Sequence, residues 1–345
     1  MADPEPRRVG VLLLQLGTPD SPATSDVRRY LREFLSDPRV LDMPAPARAS
    51  LLYGIILPFR SRRSAEAYEK IWSDQGSPLL ISTERLSNSV QGLLGDGYRV
   101  AFAMRYQQPP IAPVVEALIG AGCDRIVILP LFPQYASASS GSAVAKTLEL
   151  IGGRWNLPDV TTIGPFYNEP GFLNAVAGVS RPVLEEFRPD HTLFSYHGLP
   201  EKQVRKSDPT GTWCLASESC CHQITEANRF CYRAQCFATT RELAARLDLA
   251  HGSFSTTFQS RLAGQKWIEP YTDKELPTLY EQGVRRLAVL TPSFTADCLE
   301  TLEEIGIRGR RQWQGLGGEG FLLVPCLNAD DAWADTVADM VRNAG

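Results

Sequence analysis

A long apolar segment, a recognisable signal peptide and an excess of basic residues are all missing from this sequence. No run approaches the roughly 20 apolar residues that a membrane-spanning helix needs. The first ten residues, MADPEPRRVG, contain two acids and two prolines where a signal peptide would have a basic start and an apolar run. Lysine and arginine total 35 against 39 aspartates and glutamates, and they are scattered, so we expect no nucleic-acid partner. These features predict a cytoplasmic protein.

Nucleotide-binding motifs are also missing, since the sequence has neither a GxGxxG fingerprint nor a Walker A loop. The composition is that of a globular protein, with 43% hydrophobic and 21% charged residues over 345 positions. That length fits two domains of about 150 residues each. Eight cysteines are present, and we do not expect them to form structural disulfides, because these are rare in the cytoplasm.

Eight apolar runs of strand length alternate with helix-like amphipathic segments along the chain. The runs comprise residues 9–16, 99–106, 125–131, 160–166, 191–196, 253–259, 286–290 and 321–325. Near-continuous apolar strands separated by helices are typical of parallel sheets covered on both faces. The sequence therefore predicts an α/β protein made of two similar units with four strands each.

Polar residues cluster at the carboxyl ends of these predicted strands, where ligands of such folds bind. His197 follows an apolar run, so its ring should project into the cleft; a hydrogen-bonded structural histidine is the alternative. Glu300 and Glu304 are spaced four apart, which places both carboxylates on one face of a helix, and Asp297 lies one turn earlier. These acids would also suit a helix N-terminus that they simply stabilise through the helix dipole.

Four segments in chain order resemble the signature segments of the ferrochelatase family. They are LLLQLGTPDSP (12–22), FPQYASASSG (132–141), SYHGLP (195–200) and SFTADCLETLEE (293–304). The resemblance extends from about residue 9 to residue 344. It implies two Rossmann-like domains, each with a four-stranded parallel sheet flanked by helices. The first is expected at 1–172 plus 308–345, and the second at 173–307 with a cysteine-rich insertion at 208–236.

The reaction that the resemblance implies is insertion of Fe²⁺ into a porphyrin with loss of two pyrrole protons, which requires bases beside the macrocycle. By resemblance, His197 accepts protons or delivers the metal, and Glu300 is the opposing carboxylate. Asp297 and Glu304 would continue an acidic path for metal entry or proton exit. Many relatives have a second histidine two residues before the glutamate, where this chain has Cys298.

The same resemblance implies a set of porphyrin-binding residues. It comprises Leu16, Arg60, Arg105, Tyr106, Gln259, Ser260 and Trp267. Arg60 would bind the propionates as a bidentate donor, although a surface arginine in a basic cluster is the alternative. Because Leu16 stands where relatives that use coproporphyrin III tend to have tyrosine, we expect protoporphyrin IX as the substrate. The alternatives are a coproporphyrin or other tetrapyrrole chelatase, and a non-catalytic tetrapyrrole carrier.

Five of the eight cysteines lie within one short segment that interrupts the family pattern. They are Cys214, Cys220, Cys221, Cys231 and Cys236. Animal-type ferrochelatases hold a [2Fe–2S] cluster that uses a cysteine near the FPQYAS segment, where this chain has Ser137. Four of the five clustered cysteines could supply the ligands here instead. A zinc site that includes His222 and unmetallated buried thiols are the alternatives.

The nine residues 51–59, LLYGIILPF, carry no charge. In this family the equivalent region forms a lip over the pocket, which can contact a membrane to collect a hydrophobic porphyrin. The segment is too short to span a bilayer, and an ordinary core helix is the alternative. We therefore expect a cytoplasmic protein with peripheral membrane contact through this segment, and the sequence does not indicate an oligomeric state.

Overall fold

A four-stranded parallel sheet forms the centre of the first half of the protein. The computed structural model describes residues 8–262 and 264–344. The sheet has the order β2-β1-β3-β4, with β1 at Arg8–Gly17, β2 at Tyr98–Tyr106, β3 at Cys123–Pro130 and β4 at Asp159–Thr162. Four consecutive β1 residues, Val11, Leu12, Leu13 and Leu14, are fully buried. Burial of both faces of the strand is the consequence of helices covering each side of the sheet.

Helices connect and cover these strands. They are α1 (Thr24–Ser36), α2 (Ala45–Leu51), α3 (Leu57–Glu69), α4 (Pro78–Leu94), α5 (Ile111–Gly120), α6 (Ser142–Gly152) and, near the C-terminus, α12 (Asp331–Asn343). Two short π-helical turns, Leu52–Ile56 and Ser137–Gly141, precede α3 and α6. The apolar faces of α5 and α6 pack on one side of the sheet, around Leu12, Ile126 and Val115.

A second four-stranded parallel sheet has the order β6-β5-β7-β8. Its strands are β5 (His191–His197), β6 (Phe254–Gln259), β7 (Arg286–Leu290) and β8 (Gly320–Leu323). The associated helices are α7 (Pro170–Phe187), α8 (Glu201–Lys206), α9 (Tyr232–Arg246), α10 (Thr272–Glu281) and α11 (Arg310–Leu316). The predicted fold class, two α/β units with four parallel strands each, is confirmed.

The described residues divide into two compact units. The first comprises 8–132, 136–164 and 328–344, and the second 133–135 and 165–327. The second unit therefore extends beyond the predicted limit at residue 307. The reason is that β8 hydrogen-bonds to β7 from Arg286↔Gly320 onward, so the chain completes the second sheet before it returns to the first unit.

The apolar segment 51–59 has two distinct faces. Leu52 and Ile56 are buried in a cluster with residues of α1 and α3, whereas Tyr53, Ile55 and Phe59 are 57%, 58% and 76% exposed. The segment is thus a core element on one side and an exposed apolar surface on the other. Among the described residues, no helix is long and apolar enough to cross a membrane.

Candidate functional site

His197 is the last residue of β5, at the carboxyl end of the second sheet. Its ring Nδ1 lies 2.6 Å from the carbonyl oxygen of Gly198. Because a carbonyl oxygen can only accept, Nδ1 must carry the proton in this contact. Nε2 of the neutral ring therefore keeps its lone pair and can act as a base or a metal ligand. The backbone N–H of His197 donates to the hydroxyl of Ser293 at 3.1 Å.

Aromatic rings and a glycine shape the surroundings of His197. The ring centroids of Trp267 and Phe294 lie 6.4 Å and 6.3 Å from that of His197. A Cβ atom at Gly198 would stand 2.8 Å from the Gln259 carbonyl oxygen and 3.2 Å from the Trp267 ring, so this position must be glycine. The Trp267 Nε1 is buried and has no hydrogen-bond partner among the described residues, which leaves one unsatisfied donor beside the histidine.

The acidic segment after β7 forms a π-helix, Glu300–Gly309, instead of the expected α-helix. A π-helix bonds each N–H to the fifth preceding carbonyl and is frequent at functional sites. Glu300 and Glu304 are both partly buried in it. The pKa of Glu304 responds to the charges of Glu300 and His197, so both groups lie within electrostatic reach of Glu304.

Glu304 is held in a defined position by Ser260. Its two carboxylate oxygens accept hydrogen bonds from the Ser260 N–H at 2.9 Å and from the Ser260 hydroxyl at 2.5 Å. Burial raises the pKa of Glu304 above its ordinary value, and the Ser260 hydroxyl and the Arg308 guanidinium offset this only in part. Ser260 has a φ of +67°, a conformation that is costly for a residue with a side chain. The strained backbone allows both donors to meet one carboxylate.

Gln259 joins the core strands to the acidic helix. Its side-chain oxygen accepts a hydrogen bond from the Ser195 hydroxyl at 2.7 Å, and its amide nitrogen donates to the backbone oxygen of Glu300 at 2.8 Å. Its backbone oxygen accepts from the Gly198 N–H at 2.8 Å. The buried Gln259 thereby connects the residue after His197 to the first residue of the π-helix, a role that the sequence did not indicate.

Asp297 lies before the π-helix and not on its face. Its carboxylate accepts a hydrogen bond from the Thr301 hydroxyl at 3.0 Å and also contacts the thiol of Cys326. Cys298, at the position of the second histidine of many relatives, is buried and its thiol contacts Glu300. Asp297 therefore precedes the helix and is bonded to Thr301 within it.

Four predicted porphyrin-binding residues belong to the first unit, and two of them are engaged in a buried polar network. Arg105 donates to Asp37 at 2.9 Å and to Ser142 at 2.8 Å, and the Tyr106 hydroxyl donates to Asp37 at 2.9 Å. Tyr106 is almost fully buried, so it presents no surface to a ligand in this structure. Leu16 is half-buried and Arg60 is exposed.

The cysteines of the insertion are all buried, and none of them forms a disulfide bond. Thiol contacts run from Cys221 to Cys231 and from Cys231 to Cys214, and the sulfurs of Cys220 and Cys221 are 3.6 Å apart. Cys236 differs, because its thiol accepts a hydrogen bond from the Tyr232 hydroxyl. Four of the five thiols therefore form one contiguous cluster.

Neighbouring groups shift the pKa values of the clustered thiols in different directions. A hydrogen bond from Cys231 lowers the pKa of the Cys214 thiol, and the partner contact with Cys214 raises the pKa of Cys231 to about 12. Arg233 donates to the Cys221 sulfur at 3.1 Å, but the contact with Cys231 and burial raise the pKa of the Cys221 thiol well above its ordinary value. In the part of the chain that the structure describes, no group of three or more His, Cys, Asp or Glu side chains has the arrangement of a metal-ion site.

Asp208 organises the loop that carries Cys214. Its carboxylate accepts hydrogen bonds from the backbone N–H groups of Thr210, Trp213 and Cys214 at 2.7–2.8 Å. The bond from the Cys214 N–H is the largest cause that holds the pKa of Asp208 far below its ordinary value. The Asp-Pro-Thr-Gly sequence at 208–211 is a turn signal that could have identified this residue.

Comparison with known proteins identifies the family to which the chain belongs. The family model for ferrochelatase matches residues 8–345. The ferrochelatase of Coxiella burnetii is 46% identical over 98% of this chain and 94% of its own length, and that of Legionella pneumophila is 45% identical over 97% and 99%. A solved structure of SirB from Bacillus subtilis with Fe³⁺ shares the fold, with a TM-score of 0.54 at 11% identity over 98% of this chain and 95% of that one. The chain belongs to the ferrochelatase family, the metal chelatases that insert Fe²⁺ into a porphyrin in haem synthesis.

Proposed function

We propose that His197 and Glu300 carry out the insertion of Fe²⁺ into protoporphyrin IX at the carboxyl end of the second sheet. The observation that supports this most strongly is the contact between His197 Nδ1 and the Gly198 carbonyl. It fixes the tautomer and orients the ring, so that Nε2 is available as the base. A base that is oriented in advance is what proton removal from a pyrrole nitrogen requires.

The insertion releases two protons for each metal ion that enters the ring, and the acidic helix offers a route for them. His197 accepts a pyrrole proton at Nε2 while Fe²⁺ forms its bonds to the ring nitrogens. Glu300 accepts the other proton or binds the incoming metal. Glu304, whose pKa burial raises, can hold a proton under conditions in which an exposed glutamate would not. Asp297 is the remaining acid of the proposed path, next to Thr301.

The porphyrin specificity is proposed on the basis of Leu16, an apolar residue at the position of tyrosine in relatives that use coproporphyrin III. The remaining proposed contacts are those of Arg60, Arg105, Tyr106, Gln259, Ser260 and Trp267. The structure favours the exposed Arg60 for direct propionate binding, whereas Tyr106 and Gln259 are buried and would act by supporting their neighbours.

We expect kcat/KM for protoporphyrin IX to exceed that for coproporphyrin III by about tenfold or more, because a misfit of even one methylene in an apolar pocket is worth roughly 1–3 kcal/mol. The measurement is steady-state insertion of Fe²⁺ into each porphyrin. Replacing Leu16 with tyrosine should reduce the ratio. Equal values for the two porphyrins, or a preference for coproporphyrin III, would reassign the substrate while leaving the chelatase activity intact.

We propose a cytoplasmic protein that contacts membranes peripherally. An exposed apolar surface formed by Tyr53, Ile55 and Phe59 supports the membrane contact. The side chains protrude while Leu52 and Ile56 anchor the segment in the core. Apolar side chains presented in this way can enter the headgroup region of a bilayer without spanning it. In this proposal the same side chains collect a hydrophobic porphyrin from the membrane.

Replacing Ile55 and Phe59 with aspartate should weaken association with liposomes and raise KM for protoporphyrin IX, because both depend on apolar area removed from water. The value of kcat and the melting temperature should stay near those of the wild type. Trp155 is a matched control, since it is 99% exposed but lies outside this surface. If Trp155→Asp weakens liposome association as much as the double variant does, the surface at 51–59 has no special role.

The cysteine-rich segment is proposed to hold a [2Fe–2S] cluster through four of its five cysteines. The donor set fits in its chemistry, since such clusters take four thiolates and the thiols of Cys214, Cys220, Cys221 and Cys231 are contiguous and buried. Arg233 beside Cys221 would offset part of the negative charge of the thiolates. Cys236 is the cysteine left over, because its thiol is bonded to Tyr232.

A further inference from the structure

A chain of hydrogen bonds connects the backbone of His197 to helix α9. The N–H of His197 donates to the Ser293 hydroxyl at 3.1 Å. The Ser293 side chain is also hydrogen-bonded to the hydroxyl of Tyr232, which in turn is bonded to the thiol of Cys236. Tyr232 and Cys236 are one turn apart at the start of α9.

The hydrogen bonds that lead from His197 through Ser293 and Tyr232 can all run in the same direction, from donor to acceptor. A backbone N–H can only donate, so the Ser293 oxygen accepts it and the Ser293 proton is left to donate to Tyr232. The Tyr232 proton then donates to the Cys236 sulfur. Tyr232 is 5% exposed and Cys236 is completely buried, so water cannot replace a bond that is lost, and each member constrains the next.

The other end of this series of hydrogen bonds lies in the cysteine-rich segment. Cys231 immediately precedes Tyr232 and occupies the cap position of α9, and its thiol contacts Cys214 and Cys221. A change in the arrangement of these thiols can therefore reach Tyr232 through the adjacent residue, Cys231. Along this path, the hydroxyl groups of Ser293 and Tyr232 link the backbone of His197 to the cysteine-rich segment.

We propose that Tyr232 is a positioning residue which, through Ser293, couples the cysteine-rich segment to the backbone of His197. The effect on metal insertion rests on the proposed function of His197, whereas the link itself does not. The arrangement gives the fifth cysteine, Cys236, a defined task as the acceptor that orients the Tyr232 hydroxyl. It also explains how the state of a segment that supplies no proposed catalytic group can change the turnover of the site.

The test compares Tyr232→Phe with Thr256→Val in the full-length protein. Thr256 is a matched control because its buried hydroxyl also bonds a residue of α9, Thr240, at 3.0 Å, while its place in β6 is not adjacent to His197 in the sequence. The chain has four histidines, so selective ¹⁵N-histidine labelling gives a spectrum in which the His197 amide can be assigned. Tyr232→Phe should shift that amide signal and lower kcat about three- to tenfold with little change in KM, as expected for loss of one buried hydrogen bond.

Two further variants complete the test. Ser293→Ala, which breaks the chain at the other hydroxyl, should shift the same signal even if Tyr232→Phe folds poorly. Cys214→Ser should also shift the His197 amide, and combining it with Tyr232→Phe should give less than the sum of the two single effects. An unshifted His197 amide in Tyr232→Phe and Ser293→Ala, or an equal shift in Thr256→Val, would overturn the proposal. Shifted amides combined with an active His197→Ala variant would instead overturn only the catalytic assignment.

Discussion

His197→Ala should reduce the rate of Fe²⁺ insertion by about 10²–10⁴-fold, the range that a positioned general base contributes. The variant should remain folded, because within residues 8–262 and 264–344 the His197 ring hydrogen-bonds only the adjacent Gly198 carbonyl. Its affinity for porphyrin should stay close to that of the wild type, since Trp267 and Phe294 still flank the site. Steady-state insertion and fluorescence titration of the porphyrin measure the two quantities separately.

His251→Ala is the matched control, because His251 is an exposed residue in a turn and its loss should leave insertion unchanged. Glu300→Gln should also lower turnover severely, since the amide cannot accept a proton as a carboxylate does. The account would be wrong about His197 if the alanine variant kept more than about a tenth of the wild-type rate.

Cys214→Ser should abolish the proposed cluster. We expect the wild-type protein to be red-brown and to contain about two irons and two labile sulfides per chain, the composition of a [2Fe–2S] centre. The hydrogen bond from Cys231 lowers the pKa of the Cys214 thiol, which favours the thiolate form that a cluster ligand requires. Serine at this position should remove the colour and destabilise the second unit.

Cys123→Ser is the control for this experiment, because Cys123 is buried in β3 of the first unit and its replacement should leave the iron and sulfide content unchanged. Absorption spectra and metal analysis of freshly purified protein give the result directly. A colourless wild-type protein with one zinc per chain would replace the iron–sulfur proposal with the zinc alternative.

The strands and the functional motifs were accessible from the sequence because both depend on local patterns. Apolar runs such as the one that became β1 are buried on both faces and therefore show little polar interruption. His197 could be singled out because it follows such a run. A strand at 321–325 was predicted, but the predicted domain limits assigned it to the first domain, since strand pairing is a non-local property that residues 320–323 do not encode by themselves.

Sequence patterns could not show which way a side chain faces or which residue it hydrogen-bonds. In an apolar run such as 51–59, every residue is equally suited to burial, so the run does not show that Leu52 is core and Phe59 is surface. The π-helix at Glu300–Gly309 and the positive φ of Ser260 arise from tertiary contacts. The same is true of Tyr232, whose hydrogen-bond partner lies 61 residues away at Ser293.

The most direct test of the account is a single-turnover experiment in which each protein is first saturated with protoporphyrin IX and then mixed anaerobically with Fe²⁺. Because binding is complete before the metal is added, the rate of haem formation reports the insertion step alone. The account predicts rapid haem formation by the wild-type protein and by His251→Ala, and a rate at least about 10²-fold lower in His197→Ala. Haem formation at the wild-type rate by porphyrin-saturated His197→Ala would contradict it.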